Sequence, residues 1–402
     1  MSLEKQYKFL QEFKESGLYP ETPIIEGTST KAHVKISGRD IVMFCSNNYL
    51  DLANDPEVIE RTKIVLKEYG LGPGGSRFLC GNIDIVNQLE VKLADFVGIE
   101  DVITFPTGYM ANLAVFQGIM DPFYSDKPVP AGSGVIFSDE RNHGTIIDGC
   151  RLSTAKKVIY EHNDTDDLTE KIEEYSDCEN KLIVTESVYS PEGSLGKIKE
   201  IVDIADKYKL ILMIDDAHGL GILGKNGRGV ISHFNLNNKP DIYMASLDKA
   251  MGATGGFLGG KKKTIELLRI TSRPYLFSST IPAVAAGSVI ASLDLLENDG
   301  KRIEDLLNRS SRIRKELKDL GYNIAGDFNS PSIPVVIGDE EKGLTFSKKL
   351  FEKGIYSPCF RWPAAPVGKS RIRISLMTSH SDNDIVLLLN YFKEIGKELK
   401  II

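Results

Sequence analysis

The chain has 402 residues, of which 42% are hydrophobic and 26% are charged, so it is long enough to bury a large core. Its net charge of −7 comes from interspersed charges without a basic stripe, which argues against nucleic acid or an anionic membrane as a partner. The five scattered cysteines show no Cys-x-x-Cys motif and no zinc spacing, so we expect reduced thiols, no metal site and a cytoplasmic protein.

Residues 1–50 are predicted to form an N-terminal helix and arm. The segment Met1–Pro20 is charged and amphipathic, and it has no apolar core of signal-peptide length. No later stretch approaches the roughly 20 apolar residues that a membrane span needs. We therefore expect no membrane-spanning segment.

Residues 51–285 are predicted to form a large α/β domain. Seven short apolar runs alternate there with segments of helical period, a pattern typical of a mostly parallel central sheet with helices on both faces. The runs are Val102–Phe105, Val135–Phe137, Val158–Tyr160, Leu182–Thr185, Leu210–Ile214, Ile242–Ala245 and Phe257–Leu258.

Chemically distinctive side chains follow five of these runs, where each strand would end. Ligands bind outside the carboxyl ends of the strands in such sheets, so the sequence predicts one site at this edge. The residues are Thr107, Gly108 and Tyr109 after the first run, His143 after the second, Glu186 and Ser190 after the fourth, Asp215 and His218 after the fifth, and Ser246 and Lys249 after the sixth.

Three segments, one of which precedes these runs, have both a functional and a structural interpretation. The backbone N–H groups of Pro106–Asn112 are placed to hold a phosphate at a helix N-terminus, although an ordinary strand-to-helix turn explains the same residues. The glycine-dense loop Leu71–Arg77 either lets the backbone approach a ligand closely or is a flexible connector. His143 is suited to stack on a flat ring and move protons, or it is structural.

Lys249 and Asp215 are the residues that most specifically indicate a reaction. A lysine beyond a strand end forms a Schiff base with an aldehyde cofactor, and a carboxylate keeps a pyridine nitrogen protonated so that the ring accepts electrons. Asp215 ends an apolar run, where a carboxylate is costly unless it is paired. The alternative for this pair of aspartates is a helix cap, with Asp216 the better candidate. The pattern favours pyridoxal phosphate as the cofactor.

Residues 286–402 are predicted to form a smaller α+β domain, with the N-terminal helix packed beside it. Arg371 and Arg373 alternate around an apolar residue and so share a strand face. One of them is suited to clamp a substrate carboxylate, or both are solvated edge charges. The predicted elements are helices over Ala283–Glu297, Ile303–Leu320 and Asp382–Leu399, and strands over Ile333–Ile337 and Ile372–Leu376.

Together these stretches resemble the α-oxoamine synthases, the family of fold-type-I pyridoxal-phosphate enzymes that includes 8-amino-7-oxononanoate synthase, 2-amino-3-ketobutyrate ligase, serine palmitoyltransferase and 5-aminolevulinate synthase. The resemblance runs from about Met43 to His380. Its most specific stretches are Met43–Leu50, Asp215–Gly224, Gly227–Gly229, the Lys249 segment and Phe277–Pro282.

The resemblance implies a role for each candidate residue. Lys249 binds pyridoxal 5'-phosphate and moves the α-proton, Asp215 pairs with the pyridine nitrogen, His218 bonds the ring hydroxyl and His143 lies over the ring. Thr107, Gly108, Tyr109 and Ser246 lie near the phosphate and Ser190 beside the cofactor, while Ser278 and Ser279 reach the phosphate in a neighbouring subunit. Asn48, Ser76 and Arg373 lie near the amino-acid substrate, with Arg373 as the carboxylate clamp.

The implied reaction is decarboxylative condensation of a small amino acid with an acyl thioester, carried by coenzyme A or a carrier protein, in a homodimer with shared sites. The amino acid and the chain length stay open. Where family members commonly read Arg-Pro-Pro-Thr-Val-Pro, Arg361–Pro366 reads Arg-Trp-Pro-Ala-Ala-Pro, and no arginine precedes Arg39. These departures weigh against 8-amino-7-oxononanoate synthase. The stretches Ser76–Gly81 and Arg373–Met377 resemble serine palmitoyltransferases, and the first also resembles 2-amino-3-ketobutyrate ligases, so both activities stay open.

Two alternatives from other classes stay open at this point. An aminotransferase shares the fold and the lysine, although the stretches Asp215–Gly219 and Phe277–Pro282 argue against it. A non-catalytic partner subunit is the other alternative, and the presence of Lys249 and Asp215 argues against that. The segment Phe123–Ser133 is interpreted as a loop extension that bears on acyl-chain length or partner contact.

Overall fold

The protein is described by a computed structural model that covers residues 2–15, 19, 22–122, 132–362 and 364–402. The helices are α1 (Leu3–Glu15), α2 (Pro56–Tyr69), α3 (Asp84–Val97), α4 (Gly108–Met120), α5 (Gly144–Leu152), α6 (Thr165–Glu173), α7 (Ile198–Tyr208), α8 (Val230–Phe234), α9 (Lys262–Thr271), α10 (Arg273–Phe277), α11 (Ala283–Asn298), α12 (Gly300–Asp319), α13 (Glu340–Glu352) and α14 (Asp382–Glu398). The strands are β1 (Ile25–Glu26), β2 (His33–Ile36), β3 (Arg39–Met43), β4 (Asp101–Phe105), β5 (Gly134–Asp139), β6 (Lys156–Tyr160), β7 (Asn180–Glu186), β8 (Val188–Tyr189), β9 (Ser194–Leu195), β10 (Ile211–Asp215), β11 (Ile242–Ser246), β12 (Gly256–Gly260), β13 (Asn323–Ile324), β14 (Ser332–Gly338), β15 (Ile355–Tyr356), β16 (Cys359–Phe360) and β17 (Ser370–Ser375).

A seven-stranded sheet forms the centre of the molecule, in the order β4-β12-β11-β10-β7-β5-β6. The neighbours from β11 to β6 pair in parallel, whereas β12 is antiparallel to both β11 and β4. Every residue of β5, β11 and β12 is buried, as expected for strands covered on both faces. The predicted α/β fold with a mostly parallel sheet is therefore confirmed, and all seven predicted runs lie in its strands.

The antiparallel strand β12 has a physical reason for its glycine-rich sequence. A Cβ on Gly256 would lie 2.5 Å from the Gly108 Cα, and one on Gly260 would lie 2.3 Å from the Asp241 backbone oxygen. Such distances are too short for any side chain, so only glycine allows the strand to approach the start of α4.

Two smaller sheets flank the centre. One has the order β13-β14-β17-β16, and the other, β1-β2-β3-β15, combines the N-terminal arm with a strand from the C-terminal part of the chain. The arm is joined there because Ile355 and Tyr356 pair in parallel with Val42 and Met43. The predicted domain limits near residues 50 and 285 stay a prediction.

The N-terminal helix α1 has no buried residue, but its last turns approach the C-terminal part of the chain. The Phe13 ring lies 5.8 Å from the Arg361 guanidinium. Most of the predicted extension, residues 123–131, lies outside the described residues. None of the helices in the described ranges combines the length and the apolar character that crossing a membrane requires.

A buried ion pair anchors the glycine-dense loop to the central sheet. Arg77 donates to both carboxylate oxygens of Glu90 on α3, at 2.6 and 3.0 Å. The same carboxylate accepts from the backbone N–H and the hydroxyl of Thr104 on β4. Arg77 and Glu90 are each about 95% buried at the side chain, so the pair is shielded from solvent.

Replacement of Glu90 by alanine is expected to lower the free energy of unfolding by about 3–5 kcal/mol, because Arg77 would stay buried without its counter-charge. Urea unfolding followed by circular dichroism measures the change. The control is Glu60→Ala, which breaks the exposed pair with Lys63 and is expected to cost at most about 1 kcal/mol. Equal losses in the two variants would contradict an anchoring role for the buried pair.

Candidate active site

One pocket of about 280 Å³ lies where β4, β5, β7, β10 and β11 end. The sequence predicted a site at this edge, and the structure brings most of the predicted residues together there. Those that line the pocket are Thr107, Gly108, Tyr109, His143, Asp215, His218, Ser246 and Lys249. Glu186, which the sequence also predicted at this edge, lines the pocket too, whereas sequence reasoning did not single out the lining residues Asn112 and Asp248.

The N-terminus of α4 forms one wall. Thr107 caps this helix, since its hydroxyl accepts the Met110 N–H at 3.2 Å. Glycine is favoured at 108 because a Cβ there would lie 2.9 Å from the Ser246 hydroxyl oxygen and 3.1 Å from Met244 Cε. The exposed helix N–H groups and their dipole suit a phosphate. Tyr109 faces the pocket, but its hydroxyl donates to Asp148 at 2.6 Å.

Asp215 is a buried carboxylate at the end of β10. One oxygen accepts from Asn112 Nδ2 at 2.8 Å and the other from the Ala217 N–H at 2.9 Å. Two neutral donors keep the anion in place without neutralising it, so it is free to pair with a cationic ring nitrogen. The Oδ1 of Asn112 is itself buried and accepts no hydrogen bond from the described residues.

The adjacent Asp216 has the structural role instead. It is fully buried, accepts the first N–H of α8 from Val230 at 2.8 Å and the Tyr243 hydroxyl at 2.6 Å. Burial raises the pKa of Asp216 to about 7. The two neighbouring aspartates are therefore separated by environment, with only Asp215 lining the pocket.

Two histidines and a glutamate complete the polar wall. The backbone N–H of His143 donates to Glu186 Oε1 at 2.5 Å, and its Nδ1 lies 2.9 Å from the Thr145 hydroxyl. Burial lowers the pKa of His143, with Asp215 opposing that shift, and it raises the pKa of Glu186 well above its usual range. The pKa of His218 lies well below its usual range, because burial and then the nearby cation of Lys249 disfavour its charged form.

Lys249 lies just beyond β11 with its side chain 15% exposed. Its Nζ lies 3.5 Å from Asp248 Oδ1, a distance at the outer limit of a hydrogen bond. The same Asp248 carboxylate contacts the hydroxyl of Ser246. The amine is therefore held at the pocket without a tight ion pair, which leaves it able to react with a carbonyl.

Arg373 lies on β17 and approaches the site from the smaller sheet. It donates to Ser190 Oγ and to Asn47 Oδ1, both at 3.0 Å, and its guanidinium lies 4.6 Å from the Phe360 ring centre. Arg371 instead donates to Glu192 at 2.8 Å and to a backbone oxygen. Both arginines are more than 90% buried on a strand between β14 and β16, so the interpretation as solvated edge charges is wrong.

Besides Ser190 and Arg373, four predicted site residues lie outside this pocket. Asn48 needs a correction, because its side chain donates to Thr30 O and Asp51 Oδ1 and accepts from the Ala53 N–H, while Asn47 contacts Arg373. Ser76 is buried with a hydroxyl that has no partner among the described residues.

Ser278 and Ser279 also lie outside the pocket. Ser278 is half-buried, with its hydroxyl 3.6 Å from Met110 Sδ, and Ser279 is exposed. The prediction that these two serines reach the phosphate in a second subunit stays a prediction.

The pocket fits a phosphorylated pyridine aldehyde on three separate grounds. A helix N-terminus faces it for the phosphate, a buried carboxylate with neutral donors faces it for a ring nitrogen, and a lysine reaches it for the aldehyde. Asn112 would have been difficult to find in the sequence, although an amide in the apolar helix Gly108–Met120 is a weak signal of a buried polar contact.

Comparison with known proteins supports the same conclusion. Residues 39–391 match the family model described as aminotransferase class I and II. An 8-amino-7-oxononanoate synthase from Thermoanaerobacter pseudethanolicus is 38% identical over 394 residues, covering 98% of this chain and 97% of the relative. An enzyme named 8-amino-7-oxononanoate synthase 2 from Bacillus subtilis is 37% identical, covering 98% of this chain and 97% of the relative.

Solved structures agree at the level of the whole fold. A serine palmitoyltransferase from Sphingomonas wittichii has a TM-score of 0.92 and 29% identity, with both chains fully covered. One similar structure is described as serine palmitoyltransferase with its pyridoxal phosphate bound. The chain belongs to the α-oxoamine synthases, fold-type-I enzymes that use pyridoxal 5'-phosphate and act as C-acyltransferases.

Proposed function

We propose that the chain condenses a small amino acid with an acyl thioester, releasing carbon dioxide and the free thiol and forming an α-aminoketone. The observation that carries the proposal is the state of Arg373. It is buried, its polar partners Ser190 and Asn47 are neutral, and its Nε has no partner among the described residues. A buried guanidinium without a counter-ion is suited to bind the carboxylate of a substrate.

We assign to the pocket residues the roles that the family resemblance implies, and their contacts support this assignment. Lys249 would supply the amine that binds the cofactor and would later move the α-proton, and Asp215 would keep the pyridine nitrogen protonated. When bound, pyridoxal phosphate accepts the electrons released at the α-carbon of the amino acid. His143 would cover the ring, His218 would bond its hydroxyl, and Thr107, Gly108, Tyr109 and Ser246 would hold the phosphate, with Ser278 and Ser279 supplied by a second copy.

The names of the relatives favour one substrate pair. A product named 8-amino-7-oxononanoate divides into alanine without its carboxyl group and a seven-carbon dicarboxylic acyl chain. Eight relatives with 34–39% identity bear that name, one of them marked as putative. These names support the pair of alanine and the seven-carbon acyl chain. The sequence differences from the family pattern, at Arg361–Pro366 and before Arg39, weigh no more heavily against it. Serine with a long fatty acyl thioester is the second candidate, favoured by the close similarity to serine palmitoyltransferase structures.

A second groove offers space for the acyl chain. It measures about 920 Å³ and lies between the arm and the small sheet, lined by aromatic rings that include Tyr356, Phe360 and Trp362. Lys348 and Arg361 also line it, so it suits a chain that ends in a carboxylate. Phe360 lines this groove and its ring centre lies 4.6 Å from the Arg373 guanidinium, which supports an acyl chain bound close to the amino-acid clamp.

Incubation of the purified enzyme with paired substrates tests the proposal. Alanine with the seven-carbon dicarboxylic thioester of coenzyme A is expected to give an aminoketone, free thiol and one carbon dioxide per turnover, measured by mass spectrometry and thiol titration. Serine with palmitoyl thioester is the matched comparison. Amino transfer to a keto acid without carbon dioxide release would instead establish an aminotransferase.

Replacement of Lys249 by alanine is expected to abolish aminoketone formation while the fold survives, because no other described amine lines the pocket. Turnover is measured by product release, and folding by circular dichroism against the wild-type protein. Continued release of aminoketone from this variant would contradict the assignment of Lys249.

Replacement of Arg373 by alanine is expected to raise KM for the amino acid about 10- to 100-fold, since one or two charged hydrogen bonds would be lost. The dissociation constant of the cofactor is expected to change far less, and it is measured by fluorescence titration. The control is Arg373→Lys, which keeps the charge but loses the bidentate geometry. Its KM for the amino acid is expected to lie between those of the wild type and Arg373→Ala. Equal weakening of cofactor and amino acid would contradict the clamp.

A further inference from the structure

Two residues of the N-terminal arm, Asn47 and Tyr49, connect Arg373 to His218. Asn47 Oδ1 accepts from Arg373 Nη2 at 3.0 Å, and the Tyr49 hydroxyl lies 3.4 Å from that oxygen and 2.9 Å from His218 Nδ1. Accepting the proposed function, we propose that Tyr49 is a positioning residue that holds the proton of His218 on Nε2, and that Arg373 supports it through Asn47.

The orientation of Asn47 is fixed by the chemistry of its neighbour. A guanidinium carries donors and no acceptor, so the amide atom that faces Arg373 must be the oxygen. The same oxygen is the atom nearest the Tyr49 hydroxyl, at 3.4 Å. Asn47 therefore presents an acceptor to both residues, and donation from Arg373 weakens its ability to attract a second proton.

The hydroxyl of Tyr49 has one proton to donate, to either Asn47 Oδ1 or His218 Nδ1, while the Ser190 hydroxyl donates to it. Tyr49 is 1% exposed, so no bulk water replaces a lost partner, and burial raises its pKa to about 12. The 2.9 Å contact with His218 Nδ1 is shorter than the 3.4 Å contact with Asn47, which favours donation to the imidazole. An imidazole that accepts at Nδ1 and is neutral carries its proton on Nε2.

The position of the His218 proton matters because His218 lines the pocket. With its proton on Nε2, the imidazole donates toward a bound ligand; with the proton on Nδ1 it has only a lone pair to offer there. If Arg373 did not occupy Asn47, the oxygen would compete for the Tyr49 proton, and His218 would then donate to Tyr49 instead. The chain Arg373–Asn47–Tyr49–His218 thus connects the substrate clamp to the face that binds the ring hydroxyl.

Nitrogen-15 NMR of the holoenzyme labelled in histidine tests this directly. The His218 signals are identified by their loss in His218→Gln, and the couplings are expected to show an Nε2–H tautomer in the wild type. In Tyr49→Phe a mixture of tautomers is expected. An Nδ1–H tautomer in the wild type would overturn the proposal, and this measurement does not depend on whether the Phe variant folds.

Steady-state kinetics supply the second readout. Tyr49→Phe is expected to lower kcat about tenfold with little change in KM for the amino acid, because one hydrogen bond to the catalytic face is lost. Tyr322→Phe, at a buried tyrosine outside the pocket whose hydroxyl donates to the Phe392 backbone oxygen at 2.6 Å, controls for the loss of a buried hydroxyl and its hydrogen bond. Equal losses in both variants, or an unchanged tautomer in Tyr49→Phe, would reduce Tyr49 to a packing role. An Nε2–H tautomer in a protein that forms no aminoketone would overturn only the proposed condensation.

Discussion

The buried charge of Asp215 is the constraint on which the rest of the site depends. A carboxylate at the end of an interior strand is unfavourable unless donors surround it, and here Asn112 from α4 and the Ala217 N–H supply them. Because Asn112 also donates to Thr145, the same contact connects α4, β10 and the start of α5. The N-terminus of α4, the Asp215 carboxylate and the loop that carries His143 are therefore held in one arrangement.

Much of this arrangement was accessible from the sequence. The parallel strands were predictable because a strand covered on both faces reads as a continuous apolar run, and the site followed from where those runs end. Lys249 and Asp215 were identified because each is a charged residue where the local pattern is apolar. The alternation of Arg371 and Arg373 identified one shared strand face. It did not reveal that Arg371 pairs with Glu192 whereas Arg373 has no counter-ion among the described residues.

What the sequence could not supply are contacts between distant segments. Asn112 meets Asp215 across 103 positions, and Tyr49 meets His218 across 169. The sequence also failed to distinguish two neighbouring residues, because it predicted Asn48 near the substrate whereas Asn47 contacts Arg373. Two adjacent asparagines have the same chemistry, and only the path of the backbone decides that one turns inward to Thr30 and Asp51 while the other faces Arg373. The predicted contact of Ser278 and Ser279 with a second subunit stays a prediction.

The sheet that joins the arm to β15 ties together the two ends of the chain. Arg39 donates to the backbone oxygens of Phe351 and Glu352, and His33 contacts Asp384. During synthesis, the arm leaves the ribosome first, but its partner strand follows some 300 residues later. The edge of β3 stays unpaired until β15 has been synthesised, and an open strand edge is prone to pair with another chain. Lys35 of β2 and Arg39 and Asp40 of β3 are exposed, and such charged side chains disfavour the pairing of an open strand edge with another chain.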